Sequence, residues 1–452
     1  MTSSIFKAYD IRGLVEDELT ADFAFATGVA YARFLKEERE PATVVIGEDM
    51  RPSSPELADA FSAGVMSQGL DTLRIGLAST DMLYFAAGKL NLPGAMFTAS
   101  HNPAAYNGIK LCLSGARPIG KESGLQRIEK YVEEGSPIST TQVGVERRQD
   151  MLADYVAHLH SLVDTTQIRK LKIVVDAGNG MAGHTAPAAF ASLNADIIEL
   201  YYELDGTFPN HEANPIDPEN LRDLQSAVRA SKADIGLAFD GDADRCFLVD
   251  ENGDLVNPSS LTSLIATREL AKYPESTIIY NLISSRAVPE IVAENGGKAV
   301  RSRVGHSYIK KLMAETGAVF GGEHSGHFYF RDFWRADSGM LAAFHAIAAL
   351  GGGNQSLSQL LSPFNRYFSS GEINSTVADA PAAISEIEKI FSLRPGIDID
   401  HLDGLTVSAD SWWFNLRASN TEPLLRLNVE AETMAEMESM RDSVLNTIRN
   451  RA

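Results

Sequence analysis

Three stretches of the chain open with a continuous apolar, β-branched run that gives way to polar and glycine-type residues. They are TVVIGEDMRPSS (Thr43 to Ser54), KIVVDAGNG (Lys172 to Gly180) and TIIYNLISSRA (Thr277 to Ala287). Apolar runs without alternation suit strands buried on both faces, as in parallel sheets. Helix-like segments follow. In SSPELADAFSAGVMSQG, Leu57, Phe61 and Val65 recur at helical spacing, and Ser53 or Ser54 is a candidate N-cap. Each opening run has a later partner ending in a polar loop: GAMFTASHNP, then ADIGLAFDGDADR, then GAVFGGEHSGH. The pattern reads as a weak internal repeat of three α/β units, each presenting a loop at the end of a buried strand. Open α/β sheets bind ligands beyond the carboxyl ends of their strands, so three such loops could converge on one cleft.

From about Phe368 the pattern changes. GEINSTVADAPAAISEIEKIF starts with strand-like alternation and becomes a helix candidate. The segment from Trp412 onward reads strand, loop, strand, helix. A smaller C-terminal α+β domain is expected. Boundaries near residues 146, 250 and 365 give units 1–146, 147–250, 251–365 and 366–452.

The 452 residues exceed what one core supports. The formal charge of −20 argues against nucleic acid or anionic membrane as the main partner, since both select basic surfaces. Cys112 and Cys246 sit in apolar runs and read as small buried hydrophobes, not a disulfide framework. The longest apolar stretch, Met340 to Leu350, is too short to span a bilayer and reads as a buried helix. The N-terminus carries no signal-peptide apolar region, so a cytoplasmic protein is expected.

Candidate chemistry lies in the loops. In DGDADR, Asp240, Asp242 and Asp244 are spaced i, i+2, i+4. Carboxylates this close raise each other's pKa unless a cation is present, and Mg²⁺ combines carboxylate with phosphate oxygens. An EF-hand loop would need Gly where Arg245 stands; a solvated acidic turn is the other alternative. In TASHNP, Ser100 ends an apolar strand ahead of His101, and such a hydroxyl can carry phosphate or serve as nucleophile. It could equally cap a helix or fill a turn. Lys110, in NGIK, is a candidate phosphate contact or proton acceptor, or an ordinary surface lysine. GEHSGH offers Glu323, His324, Ser325 and His327; carboxylate and hydroxyl suit a sugar's vicinal hydroxyls, whereas Gly322 and Gly326 disfavour the helical zinc pair. A plain polar turn is the alternative. RASNTEP, with Arg417, Ser419, Asn420 and Thr421, makes an anion cradle or a hairpin turn. KAYDIRG gathers Lys7, Tyr9 and Arg12, or is simply an edge strand with a surface Arg.

In this order the set resembles the α-D-phosphohexomutase family, specifically its bacterial phosphomannomutase branch. The resemblance spans essentially the whole chain: KAYDIRG, TASHNP with NGIK, DGDADR, GEHSGH and RASNTEP. It implies three related mixed-sheet α/β domains and a smaller α+β domain around a central cleft. It further implies that Ser100 is a phosphoserine, and that Mg²⁺ is held by Asp240, Asp242, Asp244 and that phosphoserine. Arg245 belongs to the same metal loop. Arg12, His101 and Lys110 resemble the residues around the transferring phosphoryl group, with Lys110 the candidate general base. Glu323 and Ser325 resemble sugar-hydroxyl readers, with His327 in the same loop. Tyr9, in KAYDIRG, and His306, in VGHSYIKK, match positions facing the substrate. Arg417, Ser419, Asn420 and Thr421 resemble the cradle for the phosphate that is not reacting.

The implied reaction interconverts mannose 1-phosphate and mannose 6-phosphate through a hexose 1,6-bisphosphate, which also serves as activator. Asn420 resembles the mannose and glucose enzymes, whereas the phosphoglucosamine branch more often has Gly there. His324 replaces the Met usual in the dual mannose/glucose branch. The rivals are a phosphatase, with water as acceptor, and a non-catalytic sugar-phosphate binder. The intact second-phosphate loop argues against the first, and retention of Ser100 with all three aspartates against the second. Neither a partner protein nor an oligomeric state is implied.

Overall fold

The computed structural model describes residues 5–135, 142–377, 379–418 and 424–449, and of His306 the backbone only. Each predicted opening run forms a strand: Thr43–Glu48, Leu171–Asp176 and Thr277–Asn281. Each runs parallel to a later loop-bearing strand: Gly94–Phe97, Ile235–Phe239 and Phe320–Gly322 respectively. After its loop the chain returns antiparallel, as Tyr106–Leu113, Cys246–Val249 and Phe328–Phe330. A further parallel strand flanks each opening strand on its other side: Asp71–Leu77, Ala195–Leu200 and Lys298–Ser302. Return, loop-bearing, opening and flanking strands thus lie in the same order in all three sheets. The weak sequence repeat is a real structural one.

The first sheet is extended by Ile11–Leu14 on the outer edge of Tyr106–Leu113 and by Glu146–Arg148 beside Asp71–Leu77. The third is extended by Ala336–Asp337. The loop-bearing strands are buried at every position, as unalternating apolar runs require. One continuous apolar core crosses the first three units. It contains Val45, Met82 and Phe85, then Tyr155, Val175 and Phe239, then Phe320, Phe330 and Phe344. Close-packed side chains resist sliding, so this shared core fixes the three loops relative to one another. Helix Gly339–Gly351, containing the longest apolar stretch, is buried on nearly every face. Among the described residues no helix is long and apolar enough to cross a membrane. Cys112 and Cys246 are buried free thiols.

The C-terminal unit is an antiparallel sheet in the order Phe368–Thr376, Leu424–Ala431, Trp412–Ala418, Leu405–Ser408 and Asp398–Asp400. Helices Ala380–Ser392 and Met434–Arg449 cover it, and Phe391, Phe414, Leu427 and Val444 belong to its separate core. Polar groups join it to the third unit. Arg286 donates from Nη1 to the Asp410 carbonyl at 2.8 Å and from Nη2 to the Ala409 carbonyl at 2.6 Å. Its backbone N–H donates to Glu430 Oε1 at 2.9 Å. A separate core behind a polar seam suits a domain that moves as a unit.

One local expectation is corrected. Helix Ser54–Ser67 starts where expected, but neither candidate serine caps it with its side chain. Ser53 Oγ accepts from Asn107 Nδ2 at 2.8 Å, and Ser54 Oγ donates to Asp49 Oδ1 at 2.6 Å. Partners outside the helix claim the hydroxyls that a helix-only reading assigns to the cap.

Candidate active site

Ser100 lies between strands Gly94–Phe97 and Tyr106–Leu113, followed by turns and not by a helix. It is 2% exposed. Its φ of 51° is left-handed, which is unfavourable for a non-glycine residue and recurs at functional loops. Its Oγ donates to Asp240 Oδ2 at 2.9 Å and lies 3.2 Å from His101 Nδ1. Burial first, then Arg245 and Arg12, push the His101 pKa well below the ordinary histidine range, so the ring is neutral.

Asp240, Asp242 and Asp244 are at most 1% exposed and each can offer an oxygen within 4.8 Å of the others. A solvated turn is excluded by that burial, and an EF-hand by the strand that starts at Cys246. Oδ1 of Asp242 and Oδ1 of Asp244 have no hydrogen-bond partner. Burial, with Asp244 and Asp242 beside it, raises the Asp240 pKa well above the carboxylate range. Burial acts the same way on Asp244, but Lys110, His327 and Arg245 outweigh it and hold that group low. Buried carboxylates with orphaned oxygens, next to a hydroxyl that can bear phosphate, form a hard-oxygen donor set that fits Mg²⁺.

Lys110 is no surface lysine. Its Nζ donates to Asp242 Oδ2 at 2.6 Å and to Asp244 Oδ2 at 2.7 Å. Burial opposes its charge, but the two carboxylates outweigh that and hold its pKa well above the usual lysine value. Thr80, at the N-terminus of helix Thr80–Leu90, donates to Asp242 Oδ2 at 2.5 Å from Oγ1 and to the Asp242 carbonyl at 3.0 Å from its N–H. Gly241 brings the three-aspartate loop against the serine loop. A Cβ there would sit 2.5 Å from the Ser100 carbonyl oxygen.

The third loop joins this pair. Arg245 and His327 form an antiparallel bridge, and Arg245 Nε donates to His327 Nε2 at 3.2 Å. The same ring's Nε2 lies 3.5 Å from Asp244 Oδ1, and its Nδ1 lies 3.0 Å from Ser325 Oγ. Glu323 is 2% exposed; its Oε1 accepts from the Gly305 N–H at 3.1 Å and its Oε2 from Tyr329 Oη at 2.7 Å. Its carboxylate is therefore fixed in orientation. Tyr9 packs edge-on against Tyr308, and burial with Tyr308, Glu323 and Asp403 nearby pushes its pKa to about 12.

Arg12 stands on the edge strand Ile11–Leu14, yet it is not a free surface side chain. It donates from Nη1 to Asn102 Oδ1 and from Nη2 to Asp10 Oδ2, each at 2.5 Å. Arg417, on strand Trp412–Ala418, pairs with Glu372 Oε2 at 3.4 Å and Asp403 Oδ2 at 3.8 Å. Asp403 also accepts from the Val304 N–H at 3.2 Å, which ties Arg417 to the segment leading into helix His306–Thr316. Ser419, Asn420 and Thr421 lie outside the described residues, as does the His306 side chain. Loops from all three α/β units thus meet through direct hydrogen bonds. Sequence reasoning missed Thr80, Gly241 and Arg51, whose guanidinium bonds four carbonyls of the serine loop. The signal available for Arg51 was a buried strand running straight into an Asp-x-Arg turn.

Comparison with known proteins agrees along the chain. Residues 3–138, 153–253 and 257–367 match phosphoglucomutase/phosphomannomutase alpha/beta/alpha domains I, II and III, and residues 372–447 match the C-terminal domain. A phosphomannomutase of Escherichia coli is 41% identical over 436 residues, covering 94% of each chain. A phosphomannomutase/phosphoglucomutase of Pseudomonas aeruginosa is 36% identical, covering 99% of this chain and 96% of its own. A crystal structure of a phosphoglucomutase/phosphomannomutase family protein from Burkholderia thailandensis superposes with a TM-score of 0.90 at 32% identity, covering 99% of this chain and 97% of that one.

Proposed function

The chain belongs to the phosphoglucomutase/phosphomannomutase family, and from that premise we propose that it interconverts mannose 1-phosphate and mannose 6-phosphate with Ser100 as phosphoryl carrier. The observation that carries the reading is the Ser100 hydroxyl, 2.9 Å from a buried three-carboxylate loop. Asp240, Asp242, Asp244 and a phosphoserine oxygen would hold Mg²⁺, which when bound stabilises charge on the transferring phosphoryl group.

The chain's own residues divide the remaining work. Arg12, Arg245 and Lys110 surround the phosphoryl group with positive charge. His101, neutral, contacts Ser100 Oγ without adding charge. As ion-paired, Lys110 is a cationic contact; it can accept a proton only after Asp242 and Asp244 turn to another cation. Glu323 and Ser325 read sugar hydroxyls, with His327 beside Ser325, and Tyr9 and His306 are assigned to substrate contact. Arg417, Ser419, Asn420 and Thr421 take the phosphate that is not reacting, and the C-terminal domain closes to exclude water.

Phospho-Ser100 gives its phosphoryl group to the free hydroxyl of the sugar phosphate, forming a 1,6-bisphosphate. The bisphosphate turns over, and its other phosphate returns to Ser100. A hexose 1,6-bisphosphate from solution would recharge a dephosphorylated enzyme. Glucose phosphates are the second reading, supported by the dual name of the Pseudomonas aeruginosa relative. The test is Ser100→Ala. Its turnover of mannose 1-phosphate, with bisphosphate present, should fall to background; near wild-type turnover would sink the carrier role. Ranking kcat/KM for mannose, glucose and glucosamine 1-phosphates then decides the substrate. Phosphate release faster than isomerisation would favour the phosphatase.

A further inference from the structure

Arg51 is buried to 1% exposure, and it meets Ser100 through the backbone carbonyl, not the hydroxyl. It leaves the strand Thr43–Glu48 and reaches under the serine loop. Nη2 donates to the Ser100 carbonyl at 2.9 Å and to the Asn102 carbonyl at 2.6 Å. Nη1 donates to the Pro103 carbonyl at 3.0 Å and to the Tyr106 carbonyl at 2.9 Å. Nε faces Asp49 Oδ2 at 3.3 Å, and the Phe208 ring of the second unit covers the guanidinium at 5.1 Å. A buried ion pair of this kind is poor evidence of stability, because desolvating both charges offsets much of their attraction. What a planar five-donor fork supplies, and a lysine point charge cannot, is simultaneous geometry for several acceptors.

The loop needs that geometry. Ser100 is held at a φ of 51°, and its carbonyl is confined between Arg51 and the Cα of Gly241. We propose that Arg51 is a positioning residue which, by binding four carbonyls of the 100–106 loop, aims the Ser100 side chain at the metal loop and keeps its phosphoryl group from water. This rests on Ser100 being the phosphoryl carrier. A loosened loop would let water attack phosphorus, breaking the Ser100 Oγ–P bond and releasing inorganic phosphate. Transfer to sugar would slow because the donor is misaligned.

The experiment compares wild type and Arg51→Lys after charging with glucose 1,6-bisphosphate. Intact mass follows Ser100 phosphorylation, and steady-state turnover is measured alongside release of inorganic phosphate. Arg51→Lys should lose roughly 10- to 100-fold in kcat, as an ångström-scale misplacement does. KM should stay within about twofold, because no substrate contact is removed. The ratio of phosphate released to sugar isomerised should rise. A merely structural role would reduce the amount of folded enzyme and leave that ratio unchanged. Gly206→Ala carries the test if Arg51→Lys does not fold: its Cβ would fall 2.6 Å from Arg51 Cα and so displaces the residue while its side chain stays intact. A folded variant with wild-type kcat, or a lower kcat at an unchanged release ratio, overturns the proposal. Wild type that takes no phosphate on Ser100 overturns the carrier reading instead.

Discussion

Gly241→Ala is the sharpest test of how closely the serine and metal loops must approach. A Cβ at 241 would lie 2.5 Å from the Ser100 carbonyl oxygen and 3.3 Å from its carbon, whereas ordinary contact begins at 3.4 Å. The loops must therefore part by about 0.9 Å. Neither side yields easily: Arg51 Nη2 binds the same carbonyl at 2.9 Å, and Ala243, also in the metal loop, already sits at a φ of 60°. A displacement near 1 Å between reacting groups costs up to about 100-fold in rate, or about 2.7 kcal/mol in activation free energy. The assay is kcat/KM for mannose 1-phosphate with saturating bisphosphate, together with a melting curve to confirm folding. Gly353→Ala is the matched control, since a Cβ there meets nothing within 4 Å. A folded Gly241→Ala enzyme within twofold of wild type would show that the close approach of the two loops is incidental to turnover.

Other expectations follow from the same contacts. EDTA should abolish turnover and added Mg²⁺ restore it; indifference to chelation would remove the three-aspartate loop from the chemistry. Arg417→Ala should raise KM for the phosphosugar by roughly tenfold or more, with a smaller change in kcat, as loss of a charge-assisted phosphate contact predicts; an unchanged KM would end that role. Asp81, fully buried against Ser79, Ser338 and Tyr155, has its pKa raised from 3.8 to about 6 by burial. The folded state then binds the extra proton between those values, so Asp81 makes stability fall by about 3 kcal/mol as pH rises through that window. Asp81→Asn should flatten this part of the profile of denaturation midpoint against pH, and an unchanged slope would contradict the assignment.

Much of the architecture was legible because it rests on local rules. Strands buried on both faces need unbroken apolar runs, and the runs at Thr43, Lys172 and Thr277 announced all three sheets. The C-terminal unit was legible from strand-like alternation in GEINST and from the strand, loop, strand, helix order of the segment after Trp412. The N-cap expectation failed at Ser53 and Ser54 because the hydroxyls found partners distant in sequence, at Asn107, and nearby off the helix, at Asp49. Local propensity cannot rank such competitors.

The chain alone determined which chemical groups exist and on which loops: a hydroxyl in TASHNP, three carboxylates in DGDADR, a carboxylate and hydroxyl in GEHSGH, a guanidinium in RASNTEP. Tertiary structure decided what those groups are to one another. Lys110 lies 132 residues before Asp242 and bonds it; Ser100 lies 140 residues before Asp240 and bonds it. The shared core through three units sets these distances. It also splits the aspartates, raising Asp240 and lowering Asp244, because only the fold determines which carboxylate the buried Lys110 neutralises. Arg51 shows the limit most clearly. The Asp-x-Arg turn in TVVIGEDMRPSS marks its arginine as unusual, but does not show that it is spent on four carbonyls of another loop. Hydrogen bonds to backbone leave no imprint on the partner's residue types, so only folding reveals them.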